Sequence, residues 1–508
     1  MGKADSLFQL IQSLTKAEKR YFKMYTSLQQ GSKEYIDLFN LFEKENNVTK
    51  VKEIFTSSNL LCSYEASSKY LYKVLMDALV QFKLDADKTS RLINSLLKAR
   101  IFFEKSLYEE GFLLLEKIQE EAAINEEFII QLWAAQLELY YISNLNFHTI
   151  SEKQLIQKQM KINELLKYQK NIYQHTTLYE LLRHRLMYKG VVRTKEQKDE
   201  LNDLVVSELN YNSNPMADTF ESEKIHLLFQ SFYFITINDH KSALKTFYEL
   251  NNLLENNRHL WIERPIDYLS TIEGILDSLL SMKQYKEIQA FLNKLQQIEI
   301  KSTYFEVMVE RVRFIYTIAS YLNTGEFEKA EIIKQQFDES LFKRIHFLDL
   351  SKQADIYLYS AIIFIGKGDM NKAHQTLNKI LLESKLYFSL PSYRTFRLIH
   401  LLIHFELGNH DYIESETRSL KRTFSNENNK SYQIEKIVFR FTQNKILPSS
   451  LKAREIIWEK LEHSFEKATK DKYEIQLLKI FDFASWIEAK LLRKSFADLL
   501  KRKNVQTI

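Results

Sequence analysis

The chain has 508 residues and a formal net charge of +5, from 71 basic and 66 acidic side chains, a balance too thin to mark a nucleic-acid footprint. It carries 9 glycines and 4 prolines, 13 of 508 residues, where an average chain of this length has roughly 60. Hairpin-rich sheets, propellers, barrels and doubly wound folds need those residues at turns, bulges and phosphate loops, so the composition excludes them and predicts an all-α protein.

Hydrophobic residues at 45% and charged residues at 27% exclude a mostly disordered chain. The lone Cys62 removes disulfide frameworks, thiolate zinc sites and iron–sulfur clusters together, and it fits a reducing cytosol. No apolar run approaches the length of a bilayer span; the longest, around residues 359–366, is interrupted by small and polar residues. The first residues, Met1 to Ser6, lack the apolar core of a secretory signal. They match the short M-G-x-x-x-S acylation pattern, but without a polybasic companion. A cytoplasmic protein with no membrane span is the expectation.

In chain order, residues 14–25, 35–45, 50–57 and 64–82 read as four helices of an N-terminal domain spanning 1–88. Residues 1–85 hold 12 basic and 10 acidic side chains. A turn at Ser58-Asn59 followed by a helix bearing Lys69, Tyr70, Tyr72 and Lys73 suits either a helix-turn-helix or a polar cap on a larger helical array. Thr15 to Glu18, Thr149 to Glu152 and Thr303 to Glu306 place a hydroxyl three residues before a carboxylate, the spacing of a capping box at a helix start. Pro215, Pro265, Pro391 and Pro448 sit in connections, Pro265 suiting a first helical turn. The polar stretch before Pro215 marks a break near 209–218, and Pro448 opens a C-terminal segment, 448–508.

From about residue 90 a supersecondary unit recurs. An apolar helix ends in Gly366-Lys367-Gly368-Asp369, and Ala373 follows five residues after Gly368, with Leu377 four further on. The arrangement returns at Gly325 with Ala330 and at Asn238-Asp239 with Ala243 and Phe247. It is degenerate at Gly408 with Ile413, at Lys283 with Ile288, and at Ser106 with Gly111 and Leu115. Positions 243, 288, 330, 373 and 413 are 45, 42, 43 and 40 apart, the length of a helix pair with its turn.

This resembles the tetratricopeptide repeat, with its Gly-Asp turn and small residue in the second helix, over about residues 90–440. The spacing exceeds that family's usual repeat, and several copies lack the Gly or the Ala. The resemblance implies a right-handed helix-pair solenoid over 89–447, closed by C-terminal capping helices. It also implies a concave binding wall lined by first helices. Counting back from the turns places Phe232 and Ile235, Ala319 and Leu322, Ile362 and Ile365, and Leu402 and Phe405 on that wall. All eight are apolar, so the row is either ordinary core or a groove for an amphipathic helix or extended peptide.

No nucleotide-binding glycine motif occurs. His400 and His404 lie four apart on one helical face, with Glu406 and His410 behind, a spacing two metal ligands would need. The surrounding Leu401, Leu402, Ile403 and Phe405 favour packed histidines. The carboxylate pairs Glu120-Glu121 and Glu126-Glu127 read as solvated helix ends, and Cys62 beside Ser63 as an inert thiol. The stretch Ile480 to Ile487, followed by Lys490, Arg493, Lys494, Lys501, Arg502 and Lys503, is an apolar segment with a basic end. No catalytic set, cofactor or metal is expected. The function expected is a non-enzymatic scaffold binding a protein or peptide. The alternative is a transcriptional regulator with an N-terminal DNA-binding module and a repeat sensor domain. An RNA-binding repeat is disfavoured, because no basic or polar position recurs once per unit.

Overall fold

The structure, a computed structural model, describes residues 3–27, 34–45, 47–58, 63–84, 86–148, 150–189, 191–192, 195–212, 219–298, 302–381, 392–426, 432–444, 446–471 and 474–506. It is all-helical, 84% helix in 26 α-helices, with no strand among the described residues. Cys62, Asn59, Thr149, Pro215, Pro391 and most of the break expected near 209–218 lie outside them. The chain forms two compact units, residues 1–171 with 299–306, and residues 172–298 with 307–508.

The first unit begins with five helices, Lys3–Ser13, Lys16–Ser27, Glu34–Lys44, Val48–Ser58 and Tyr64–Leu84. The first is an addition to the four that periodicity predicts. They share a core in which Leu7, Ile11, Phe22, Leu38, Phe39, Phe42, Val51, Phe55, Leu71 and Leu75 are fully buried. A separate core starts at Leu92 and joins Lys88–Glu104, Tyr108–Ile124 and Phe128–Asn144. The helix after the junction starts on Asp87, whose carboxylate accepts from the Ser90 amide at 2.8 Å.

The capping boxes fall near the predicted places. Thr15 and Glu18 exchange bonds, the Thr15 amide donating to Glu18 Oε2 at 2.8 Å and the Glu18 amide to Thr15 Oγ1 at 3.2 Å. Downstream, Ser151 and Gln154 form the box in place of Thr149 and Glu152. Ser302 rather than Thr303 accepts from the Phe305 amide at 3.2 Å. A hydroxyl one or two positions away wins wherever the backbone leaves the helix there.

In the second unit, helices come in pairs: Phe220–Thr236 with His240–Asn256, Ile266–Ser281 with Tyr285–Gln296, Thr303–Asn323 (largely in this unit) followed by Phe327–Gln336, Leu350–Lys367 with Met370–Leu381, and Tyr393–Glu406 with His410–Asn426. The five turns share one backbone device. Asn238, Lys283, Gly325, Gly368 and Gly408 each take a left-handed conformation, φ between 58° and 80°. Each left-handed residue's amide donates to the carbonyl three back, and the next residue's amide to the carbonyl five back from it. Gly368 donates to Ile365 at 3.0 Å and Asp369 to Phe364 at 2.9 Å. This is the Schellman closure, which satisfies two carbonyls left over at the helix end. Asn238 and Lys283 adopt the same geometry with a side chain present, so the turn forms in those two copies without a glycine.

The small residues predicted for the second helices, Ala243, Ala330 and Ala373, are fully buried, and Ile288 and Ile413 nearly so. Close approach is also bought by glycine. A Cβ on Gly274 would overlap the Phe247 ring, and one on Gly366 the Phe327 ring. After the pairs come Gln433–Thr442, Leu451–Thr469, Phe483–Leu492 and Phe496–Gln506. Phe483, Trp486, Ile487 and Leu491 are buried, so the apolar stretch at 480–487 is core.

Candidate functional site

The turn geometry sets a common register. Ile235, Leu322, Ile365 and Phe405 are the residues whose carbonyls accept the amide of the left-handed residue, and Phe232, Ala319, Ile362 and Leu402 lie one turn earlier. The eight residues therefore occupy equivalent places on four first helices. Ala319, Leu322, Ile362, Ile365 and Leu402 are buried, at 0 to 4% exposure, while Phe232, Ile235 and Phe405 are half-buried.

A fifth copy, passed over by the sequence count, belongs to the same register. In Ile266–Ser281 the matching positions are Asp277 and Leu280, since Leu280 accepts from Lys283 at 3.1 Å. A carboxylate thus stands where the other copies are apolar. Lys479 meets it, with Nζ 2.6 Å from both oxygens. At the last copy, Trp486 packs edge-on to Phe405, ring centres 6.2 Å apart, and both touch Phe441. At these two positions the row is covered by the chain's own C-terminal segment, a pairing that no periodicity announces because it joins residues up to 202 apart in sequence.

The histidines flagged by spacing are drawn into a group of three. His400 and His404 face each other, Nε2 to Nε2, at 3.1 Å. His374, from the second helix of the preceding pair, brings a ring nitrogen within 4.8 Å of both. His400 and His404 are buried at 3% and 7% exposure, and His374 is half-buried. Asn409, in the following turn, has its amide nitrogen 2.9 Å from His404 Nδ1, and the Tyr412 hydroxyl lies 3.3 Å from His400 Nδ1. Asn378 contacts the His374 ring at 3.2 Å. Burial, reinforced by His404, Arg397 and His374, pushes His400 down to about 2, and burial with His374 pushes His404 to about 4. Both rings are neutral at physiological pH, the state in which imidazole binds a metal. Arg397, the permanent cation that acts on His400, is itself paired with Glu416. Glu406 takes no part, pairing with Lys490 at 2.6 Å, and His410 is not in the group.

A second group had no signal in the sequence. His175, Glu208 and His226 come from three helices, with Glu208 Oε1 3.2 Å from His175 Nδ1 and 2.5 Å from His226 Nδ1. Burial opposes the Glu208 charge, but hydrogen bonds from both rings outweigh it and hold the carboxyl below its ordinary range. Its members lie 33 and 18 residues apart, with no helical period to connect them.

In the first unit, Lys69, Tyr70, Tyr72 and Lys73 are exposed on the face of Tyr64–Leu84 opposite Leu71, Val74 and Leu75, flanked one turn away on either side by exposed Glu65 and Asp77. Glu126 and Glu127 stand at a helix junction, where Glu127 accepts from the Thr89 hydroxyl at 2.6 Å. Apolar side chains are exposed in a helical stripe, Ile93, Leu97 and Ile101, at 39, 45 and 52%, on Lys88–Glu104, whose other face buries Leu92, Leu96, Ala99 and Phe103. Ile129, Trp133 and Tyr140 are likewise exposed on Phe128–Asn144. No helix among the described residues is long and apolar enough to cross a membrane. No protein-family model and no curated protein sequence matches the chain.

Proposed function

We propose that this protein is a non-enzymatic, cytoplasmic scaffold built of tetratricopeptide-like helix pairs, and that it binds a protein partner. The reading is supported by five helix pairs closed by one turn geometry at positions 238, 283, 325, 368 and 408. The observation that carries the binding role is the stripe Ile93, Leu97 and Ile101. Three aliphatic side chains one turn apart are left in water on a helix that already has a complete buried face. Such a stripe fits the apolar face of a partner helix. A partner reaching Ile365 or Leu402 would first have to displace what covers them, whereas nothing need move at Leu97.

The test is Leu97→Glu with Ile101→Glu in the full chain. Exposed substitutions of this kind change stability by roughly 0.5 kcal/mol or less, so the thermal midpoint stays in place. Partners crosslinked to the wild type in the native host, and identified by mass spectrometry, should be lost. Retention of the same partners at the same yield would sink the assignment.

The alternative, a DNA-binding regulator, draws on the exposed Lys69, Tyr70, Tyr72 and Lys73. Glu65 and Asp77, which flank them on the same helix, and the thin balance of residues 1–85 weaken the field a phosphate backbone needs.

A further inference from the structure

The geometry points to a divalent transition-metal site, of the kind that takes zinc, formed by His374, His400 and His404 and joining two successive helix pairs. Zinc bonds imidazole nitrogen at about 2.0–2.1 Å, so two ligand nitrogens on one tetrahedral ion stand roughly 3.4 Å apart. The 3.1 Å between His400 Nε2 and His404 Nε2 is already close to that edge, and the His374 nitrogen within 4.8 Å needs only a side-chain adjustment. His374 is the half-buried member, which gives the ion a way in from the surface.

The surroundings fit ligands rather than a mere stack of rings. The present hydrogen bonds form a chain. Asn409 Nδ2 donates to His404 Nδ1, which leaves His404 protonated on Nε2 and donating to His400 Nε2. His400 then carries its proton on Nδ1, toward the Tyr412 oxygen. The single proton between the two Nε2 atoms occupies the place of the ion. When the ion replaces it, His400 is unchanged, and His404 must carry its proton on Nδ1. Asn409 accommodates this by turning its amide so that the oxygen accepts. Two of the three ligands therefore have a partner on the far ring nitrogen, the arrangement that fixes tautomer and orientation in metal sites. Three protein nitrogens leave the fourth position to water, and soft thiolates are absent, which suits zinc or its neighbours over calcium or magnesium.

The test uses the full chain, stripped with chelator and then titrated with zinc alone. We expect one equivalent to bind at this site, with a rise in the thermal midpoint that chelator reverses. Cobalt in the same equivalent should give the strong visible bands of a tetrahedral ion. His374→Ala and His400→Ala should each lose that equivalent, and Asn409→Ala should weaken it by about 10–100-fold. Because His400 is buried and its variant can misfold, His374→Ala, at a half-buried position, decides the matter. A control with His175→Ala and Glu208→Gln should keep the equivalent. The site is overturned if the wild type binds no zinc, if His374→Ala binds as the wild type does, or if the equivalent disappears only in the control.

Discussion

Lys479 places its Nζ 2.6 Å from both carboxylate oxygens of Asp277, 202 residues earlier in the chain. Each member is about one-quarter exposed, so the pair is partly shielded from solvent. Although burial works against the Asp277 charge, Lys479 and neighbouring His240 hold its carboxyl below the usual range. Losing one partner should cost more than losing both. We expect Lys479→Met to cost about 1.5–3 kcal/mol and Asp277→Asn a similar amount. The double variant should cost less than either single variant, which a double-mutant cycle in urea would measure.

Neutral histidines, His400 and His404 buried and His240 half-buried, make the second unit acid-sensitive. His240 is pushed down to about 4 by burial and then by Lys479, and His404 and His400 lie at about 4 and about 2. An unfolded histidine titrates near 6.5, so between pH 6.5 and 4 the unfolded chain binds more protons than the folded one. Stability is then complete above pH 6.5 and falls as pH drops toward 4, by up to about 3 kcal/mol per histidine. Thermal scans at pH 7 and pH 4.5 should differ by several degrees, and His400→Gln should flatten the dependence. An unchanged midpoint over that range would contradict the burial of these rings.

Glycine at 366 is required by the Phe327 ring rather than by backbone conformation. Gly366→Ala forces that ring or the helix to move, so the gain from helix propensity is outweighed by overpacking, with a net loss of about 1–3 kcal/mol. The companion change Phe327→Leu makes room, and the pair should recover part of the loss. If Gly366→Ala alone stabilises the protein in denaturant melts, the close packing there is refuted.

Ile365 and Leu97 are both aliphatic and both helical, yet they should behave in opposite ways. Ile365 is 4% exposed, and truncation to Ala should cost about 2–5 kcal/mol. Leu97→Ala, at 45% exposure, should leave the thermal midpoint within a degree or two. Equal effects at the two sites would contradict the assignment of one to the interior and the other to the surface.

The exposed Lys69 and Lys73 are too few to hold DNA tightly. Duplex DNA should bind no better than about micromolar at physiological salt, without sequence preference. A salt-resistant, sequence-specific nanomolar complex that disappears with Lys69→Glu and Lys73→Glu would favour the regulator reading instead.

The sequence by itself determined that the chain is helical and where its helices turn. Glycine and proline are too scarce for sheets, and apolar spacing, caps and Gly-Asp turns act within a few residues, so Gly325, Gly368 and Gly408 were legible as helix ends. The same local logic missed Lys3–Ser13, and it misplaced two caps, because neighbouring hydroxyls compete within one turn. It identified a common register for Ile235, Leu322, Ile365 and Phe405, but not which of them is covered. Burial depends on elements distant in sequence, such as Trp486 over Phe405, and helical periodicity carries no record of them. For the same reason His400 and His404 could be paired by spacing, while His374, on another helix, and the whole of His175, Glu208 and His226 could not. Only the tertiary structure brings those side chains together, since the packing of helices against one another is fixed by the fit of many side chains at once.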